Sequence, residues 1–192
     1  EDVAVFSILK TFFKALHSVS GSFIDPMMSK FLELKSNVKD FSTKMNAIFY
    51  GAFFLRLSLF VALSLLVQYF FLIYKIESNA INQFIFYVLG LEYVIAGMIL
   101  CYGIILRLDK TTNKVLIASI VRFVVEITLI YLILMDYGIV AASLILLIAR
   151  YVETVTTYLY IRRQRIFNKT GLILFVFIIP VFYFLYKIPI LP

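Results

Sequence analysis

From Lys114 to Arg165 the chain reads as two long apolar runs joined by Met135-Asp136-Tyr137-Gly138, and each run carries an Arg/Glu pair. Arg122 and Glu126 stand four residues apart in the first run; Arg150 and Glu153 stand three apart in the second. Both spacings put the pair on one face of a helix. A charge at mid-bilayer costs at least about 2.5–3.5 kcal/mol on insertion scales, so four of them require polar surroundings between helices. The stretch predicts two spanning helices beside a wet cavity or groove, as in a polytopic transporter.

Composition agrees with a membrane setting. Of 192 residues, 63% are hydrophobic and 15% charged, whereas soluble domains sit nearer half apolar. The net charge of +7 is carried largely in short linkers, so it does not signal nucleic acid. One cysteine, Cys101, excludes an internal disulfide, and the single histidine, His17, argues against a zinc centre; no metal or cofactor is expected. The chain begins at Glu1 without a signal-peptide pattern and is expected to be part of a longer protein.

Six runs are long enough to span a hydrocarbon core: residues 3–24, 47–74, 81–106, 115–135, 138–161 and 171–190. Three linkers are basic: Lys30 to Lys44, Arg107 to Lys114 and Arg162 to Lys169. The positive-inside rule puts these three in the cytoplasm and both ends of the chain outside. Residues 27–44 alternate apolar and basic positions at helical spacing, which predicts an amphipathic helix on the cytoplasmic leaflet, held to membrane lipids through its lysines.

Other polar residues lie inside the runs. Ser7, Lys10, Lys14, His17 and Gly21 form one stripe of the first helix, with Phe6, Leu9 and Phe13 away from it. That stripe is expected to face an aqueous cavity; the competing reading is a helix lying on the membrane surface. Arg56 and Glu92 lack a local partner, so they either pair across helices or, the favoured reading, meet cargo. For Arg122 with Glu126 and Arg150 with Glu153, mutual neutralisation is favoured over cargo contact. Ser143, Arg150 and Thr157 are heptad-spaced, which predicts a polar stripe facing the cavity. Gly90 and Gly97 would let a neighbouring helix approach closely.

The segment from Glu126 to Ala142 resembles the polysaccharide (lipid-linked oligosaccharide) flippases of the multidrug/oligosaccharidyl-lipid/polysaccharide superfamily. It keeps Leu129, Tyr131, Tyr137, Gly138, Ile139 and Ala142 of that pattern. It departs at Glu126 and Ile130, where the family often has Asn, and at Met135 and Ala141, where it often has Pro and Gly. Pro26-Met-Met-Ser-Lys-Phe31 and the basic tail Tyr160 to Ile166 are similar to two further family segments.

The resemblance implies an all-α membrane protein. About six transmembrane helices would form most of the C-terminal lobe of a MATE-like fold, facing an N-terminal lobe of the same protein. It implies transport of a polyprenyl-(pyro)phosphate-linked oligosaccharide across the cytoplasmic membrane by alternating access. On that reading Lys10, Lys14, Arg56, Arg122 and Arg150 are head-group candidates, because cations match phosphate oxygens. Glu92, Glu126 and Glu153 would balance charge or couple an ion, and His17, Ser143 and Thr157 would line the cavity. A cation-coupled drug or metabolite exporter of the same superfamily is the nearest alternative. A membrane-embedded glycan-modifying enzyme is the more distant one. No Gly-rich nucleotide loop is present, so no ATP hydrolysis is expected.

Overall fold

A computed structural model describes residues 2–22, 38–108 and 110–162. The described residues are helical with short turns, in the order α1 (Asp2–Ser22), α2 (Val38–Leu65), α3 (Val67–Tyr74), α4 (Ala80–Leu108) and α5 (Thr112–Arg162). Five stretches are long and apolar enough to cross a membrane: Val3–Ser22, Thr43–Leu65, Ala80–Arg107, Thr112–Leu134 and Gly138–Ile161. The protein is therefore an all-α, multi-pass membrane protein. The expected span 171–190 and residues 27–37 of the expected amphipathic helix lie outside the described residues. From Val38 onward that segment is the start of α2 and runs unbroken into the membrane-spanning part.

The run 47–74 is two helices, not one. Leu66 (φ −102°, ψ 11°) interrupts it, and α3 turns Val67, Phe70 and Phe71 inward. Phe70 lies 4.6 Å from Phe12 of α1 and 5.8 Å from Phe86 of α4, centroid to centroid. The apolar run exceeds what one hydrocarbon core needs, and its surplus becomes an aromatic plug between α1 and α4.

Helix ends explain how α4 is set. Lys75 closes α3 in the left-handed region (φ 54°, ψ 37°): its N–H reaches Leu72 O, and the Ile76 N–H reaches Phe71 O at 2.8 Å. This is a Schellman motif. Asn79 then caps α4, its Oδ1 accepting the Asn82 N–H at 2.8 Å. Lys110 (φ 57°) repeats the Schellman pattern after α4, with the Thr111 N–H on Leu106 O at 2.9 Å.

Gly138 (φ 54°, ψ −132°) breaks α5 in a conformation that side chains rarely adopt. The halves fold back on each other, because Ser119 and Arg122 of the first reach Glu153 of the second. Helix α4 is the hub: its apolar stretch is mostly buried, whereas that of Thr112–Leu134 is almost wholly exposed. Close approach of α2 to α4 depends on glycine. A Cβ at Gly90 would collide with the Phe60 ring, and one at Gly97 would meet Arg56 Cδ at 2.5 Å.

Candidate functional site

The α5 hairpin brings its two Arg/Glu pairs face to face and adds a carboxylate from α4. Arg122 Nε lies 3.7 Å from Glu126, one turn along the same helix. Arg122 Nη1 crosses to Glu153 at 3.4 Å. Arg150 donates to Glu153 at 2.8 Å through Nη1 and to Glu92 at 2.7 Å through Nε. The Ser119 hydroxyl donates to the other oxygen of Glu153 at 3.2 Å. Carboxylate and guanidinium thus alternate from Glu126 through Arg122, Glu153 and Arg150 to Glu92. Neutralisation of this kind is what makes ionised groups tolerable among apolar helices.

The opposite wall behaves differently. Lys10 and Lys14 of α1 are exposed, and neither forms an ion pair among the described residues. Arg56 of α2 is 0% exposed. Its Nη1 donates to His17 Nδ1 and to the Tyr93 carbonyl, each at 3.0 Å. Its guanidinium carbon sits 4.9 Å from the Tyr93 ring centroid, a cation–π contact. Nε and Nη2 are buried without a hydrogen-bond partner. Since a guanidinium can only donate, His17 Nδ1 accepts, which leaves Nε2 to carry the ring proton.

Between these walls lies a cavity of about 320 Å³. Helix α1 lines it with Lys10, Phe13, Lys14 and His17; α4 with Leu89, Glu92, Tyr93 and Ala96; α5 with Arg122, Glu126, Leu146 and Arg150. Of the charged residues that line it, four are cationic (Lys10, Lys14, Arg122, Arg150) and two anionic (Glu92, Glu126), leaving a positive excess. A second cavity of about 300 Å³ adjoins it, sharing His17, Ala96 and Arg150.

Several expectations need correction. Arg56 and Glu92 do not pair: Glu92 is taken by Arg150, and Arg56 is held by His17 and Tyr93. Arg56 does not line the cavity but stands behind it, sealed by the close packing of α2 on Gly97. Glu153 likewise stands behind Arg122 and Arg150. Ser143 and Thr157 do not line the cavity either. Both are buried and return their hydroxyls to their own helix, Ser143 to Val140 O at 2.8 Å and Thr157 to Glu153 O at 2.7 Å. A hydroxyl that satisfies itself on the preceding turn needs no water-filled passage.

Sequence reasoning missed Ser119 and Tyr93. Ser119 stands three residues before Arg122, on the same helix face, so spacing could have found it. Tyr93 acts through its carbonyl and ring face, which leave no signature in a sequence. No protein-family profile, curated protein or solved structure matches this chain.

Proposed function

We infer that this chain forms most of the C-terminal lobe of a flippase of the multidrug/oligosaccharidyl-lipid/polysaccharide type, in the cytoplasmic membrane. Its cargo would be a polyprenyl-(pyro)phosphate-linked oligosaccharide, moved by alternating access against an N-terminal lobe of the same protein. One observation carries this reading. The cavity presents Lys10 and Lys14 without counter-ions, while all three carboxylates near it are engaged by arginine. An anionic head group is the ligand that such a surface lacks.

The same observation weighs against a cation-coupled exporter, in which a free carboxylate would take the ion. It also weighs against a glycan-modifying enzyme, because His17 already spends Nδ1 on Arg56. The turn at Gly138 supports the family reading in a physical way: the Tyr137-Gly138-Ile139 pattern falls where the backbone needs a glycine. Arg122 and Arg150 belong to the scaffold in this scheme, and Lys10 and Lys14 to the cargo.

The test is the double substitution Lys10→Gln/Lys14→Gln in the full-length protein in cells. Surface glycan should fall about tenfold, as a loss near 1.4 kcal/mol in the rate-limiting step gives, at unchanged protein level in the membrane. The Lys10→Arg/Lys14→Arg protein should retain export. Full export by the glutamine form at normal level would refute the assignment.

A further inference from the structure

The adjoining cavity has a composition of its own. Its walls are apolar, with Ile99, Leu100, Ile104 and Val115, and Arg107 stands where α4 ends, beside the basic linker. At its inner end it meets the first cavity at His17, Ala96 and Arg150, the three residues common to both. Gly103 lines it, and a Cβ there would meet nothing within 4 Å. The positive-inside rule puts the Arg107 end at the cytoplasmic surface. Cations therefore stand at the mouth (Arg107), at the neck (Arg150) and in the inner chamber (Lys10, Lys14), with an apolar vestibule between mouth and neck.

We propose that the two cavities are successive stations for one phosphate-bearing anion, loaded at Arg107 and passed inward through a neck formed by His17, Ala96 and Arg150. This rests on the transport reading above and adds the route and the gate. Arg150 cannot swing freely, being tied to Glu92 and Glu153. His17 stands across the neck from it, and Arg56 is its positioning residue, holding the ring through Nδ1. Ala96 sets the width from α4. The Nε2–H of His17 is then the donor that a passing phosphate meets between the two stations.

The test uses thiol labelling of the full-length protein in membrane vesicles with the basic linkers facing the bath. Cys101 is buried and is replaced by alanine. Gly103→Cys reports on the vestibule and Leu146→Cys on the inner chamber. The reagent is an anionic methanethiosulfonate. Polyprenyl pyrophosphate of short chain should protect both thiols. Ala96→Leu should slow labelling of Leu146→Cys about tenfold and leave Gly103→Cys unchanged, as an added barrier at the neck alone would do. Ala96→Gly, which widens the neck without crowding it, should speed labelling of Leu146→Cys.

An unchanged rate at Leu146→Cys in both Ala96 variants overturns the route. So does a Gly103→Cys thiol that no pyrophosphate protects. Inorganic pyrophosphate serves as the second arm. Protection by the lipid-linked form alone assigns the stations to a lipid head group. Protection by inorganic pyrophosphate alone leaves the route standing and overturns the lipid-linked cargo.

Discussion

On the wall built by α4 and α5, two guanidiniums share three carboxylates; on the side of α1, Lys10 and Lys14, with Arg56 of α2 behind them, have no carboxylate partner among the described residues. The first arrangement locks three helical segments by mutual neutralisation. The second leaves positive charge unsatisfied in a setting where each bare charge costs several kcal/mol. Unequal treatment of like residues assigns different work to them. Arg122 and Arg150 hold the bundle together, whereas Lys10 and Lys14 line the cavity without a counter-ion and Arg56, sealed behind it, holds His17.

The sharpest way to break this contrast is Glu153→Ala. It removes the acceptor of Ser119, Arg122 and Arg150 at once and leaves two guanidiniums short of counter-charge. Removing one partner from a buried ion pair costs about 3–5 kcal/mol, and a fall of that size is expected in thermal unfolding of the purified protein in detergent. A loss below about 1 kcal/mol, the range of exposed pairs, would show that the α4/α5 wall is not locked by charge.

Arg56→Met should move stability the other way. Nε and Nη2 have no hydrogen-bond partner, so an apolar chain of similar length relieves a desolvation penalty. Replacing buried charge by well-packed apolar groups is often neutral or stabilising by about 1–4 kcal/mol. The expected result is an unfolding midpoint unchanged or raised, together with impaired glycan export, because His17 loses its tether. A large drop in midpoint would place Arg56 with the scaffold.

Glycines under α2 sharpen the same contrast at smaller amplitude. Gly90→Ala drives a methyl into the Phe60 ring and should cost about 1–3 kcal/mol, the usual range for overpacking. At Gly97 the added methyl meets the Arg56 side chain instead, so Gly97→Ala should displace the guanidinium and reproduce the export defect of Arg56→Met. Gly103→Ala is the control: with open space at its Cβ it should gain up to about 1 kcal/mol of helix propensity. Equal behaviour of all three in an unfolding assay would remove the packing account of α2 on α4.

Much of this was legible before the structure. Apolar length located the five spanning helices among the described residues, and Asp136-Tyr137-Gly138 located the hairpin, because glycine suits the backbone at residue 138. Spacing found the pairs Arg122–Glu126 and Arg150–Glu153, and both are formed. What spacing cannot give is the neighbour across a helix boundary. Glu92 and Arg56 looked equally alone in the sequence, yet one found Arg150 and the other a backbone carbonyl and an imidazole. The break at Leu66 was illegible for a related reason: no Pro or Gly marks it, and aromatic packing of Phe70 and Phe71 accompanies it. Ser143 and Thr157 misled because a polar stripe and a self-bonded hydroxyl stripe look alike in one dimension.

The smallest expected effect on stability, and the one that separates the walls most cleanly, belongs to the lysines. Lys10 and Lys14 are exposed to the cavity side, and the former's ammonium lies 5.6 Å from the Phe6 ring centroid. Both side chains are exposed, so Lys10→Gln or Lys14→Gln should shift unfolding by no more than about 0.5 kcal/mol, the range of surface substitutions. Adding short-chain polyprenyl pyrophosphate should then raise the midpoint of the wild-type protein but not that of the double glutamine form, since a ligand stabilises only the state that binds it. The same ligand should still stabilise Lys10→Arg/Lys14→Arg. Equal ligand-induced shifts in all three proteins would move the head-group site off α1 and leave the paired arginines of α5 as the remaining cations that line the cavity among the described residues.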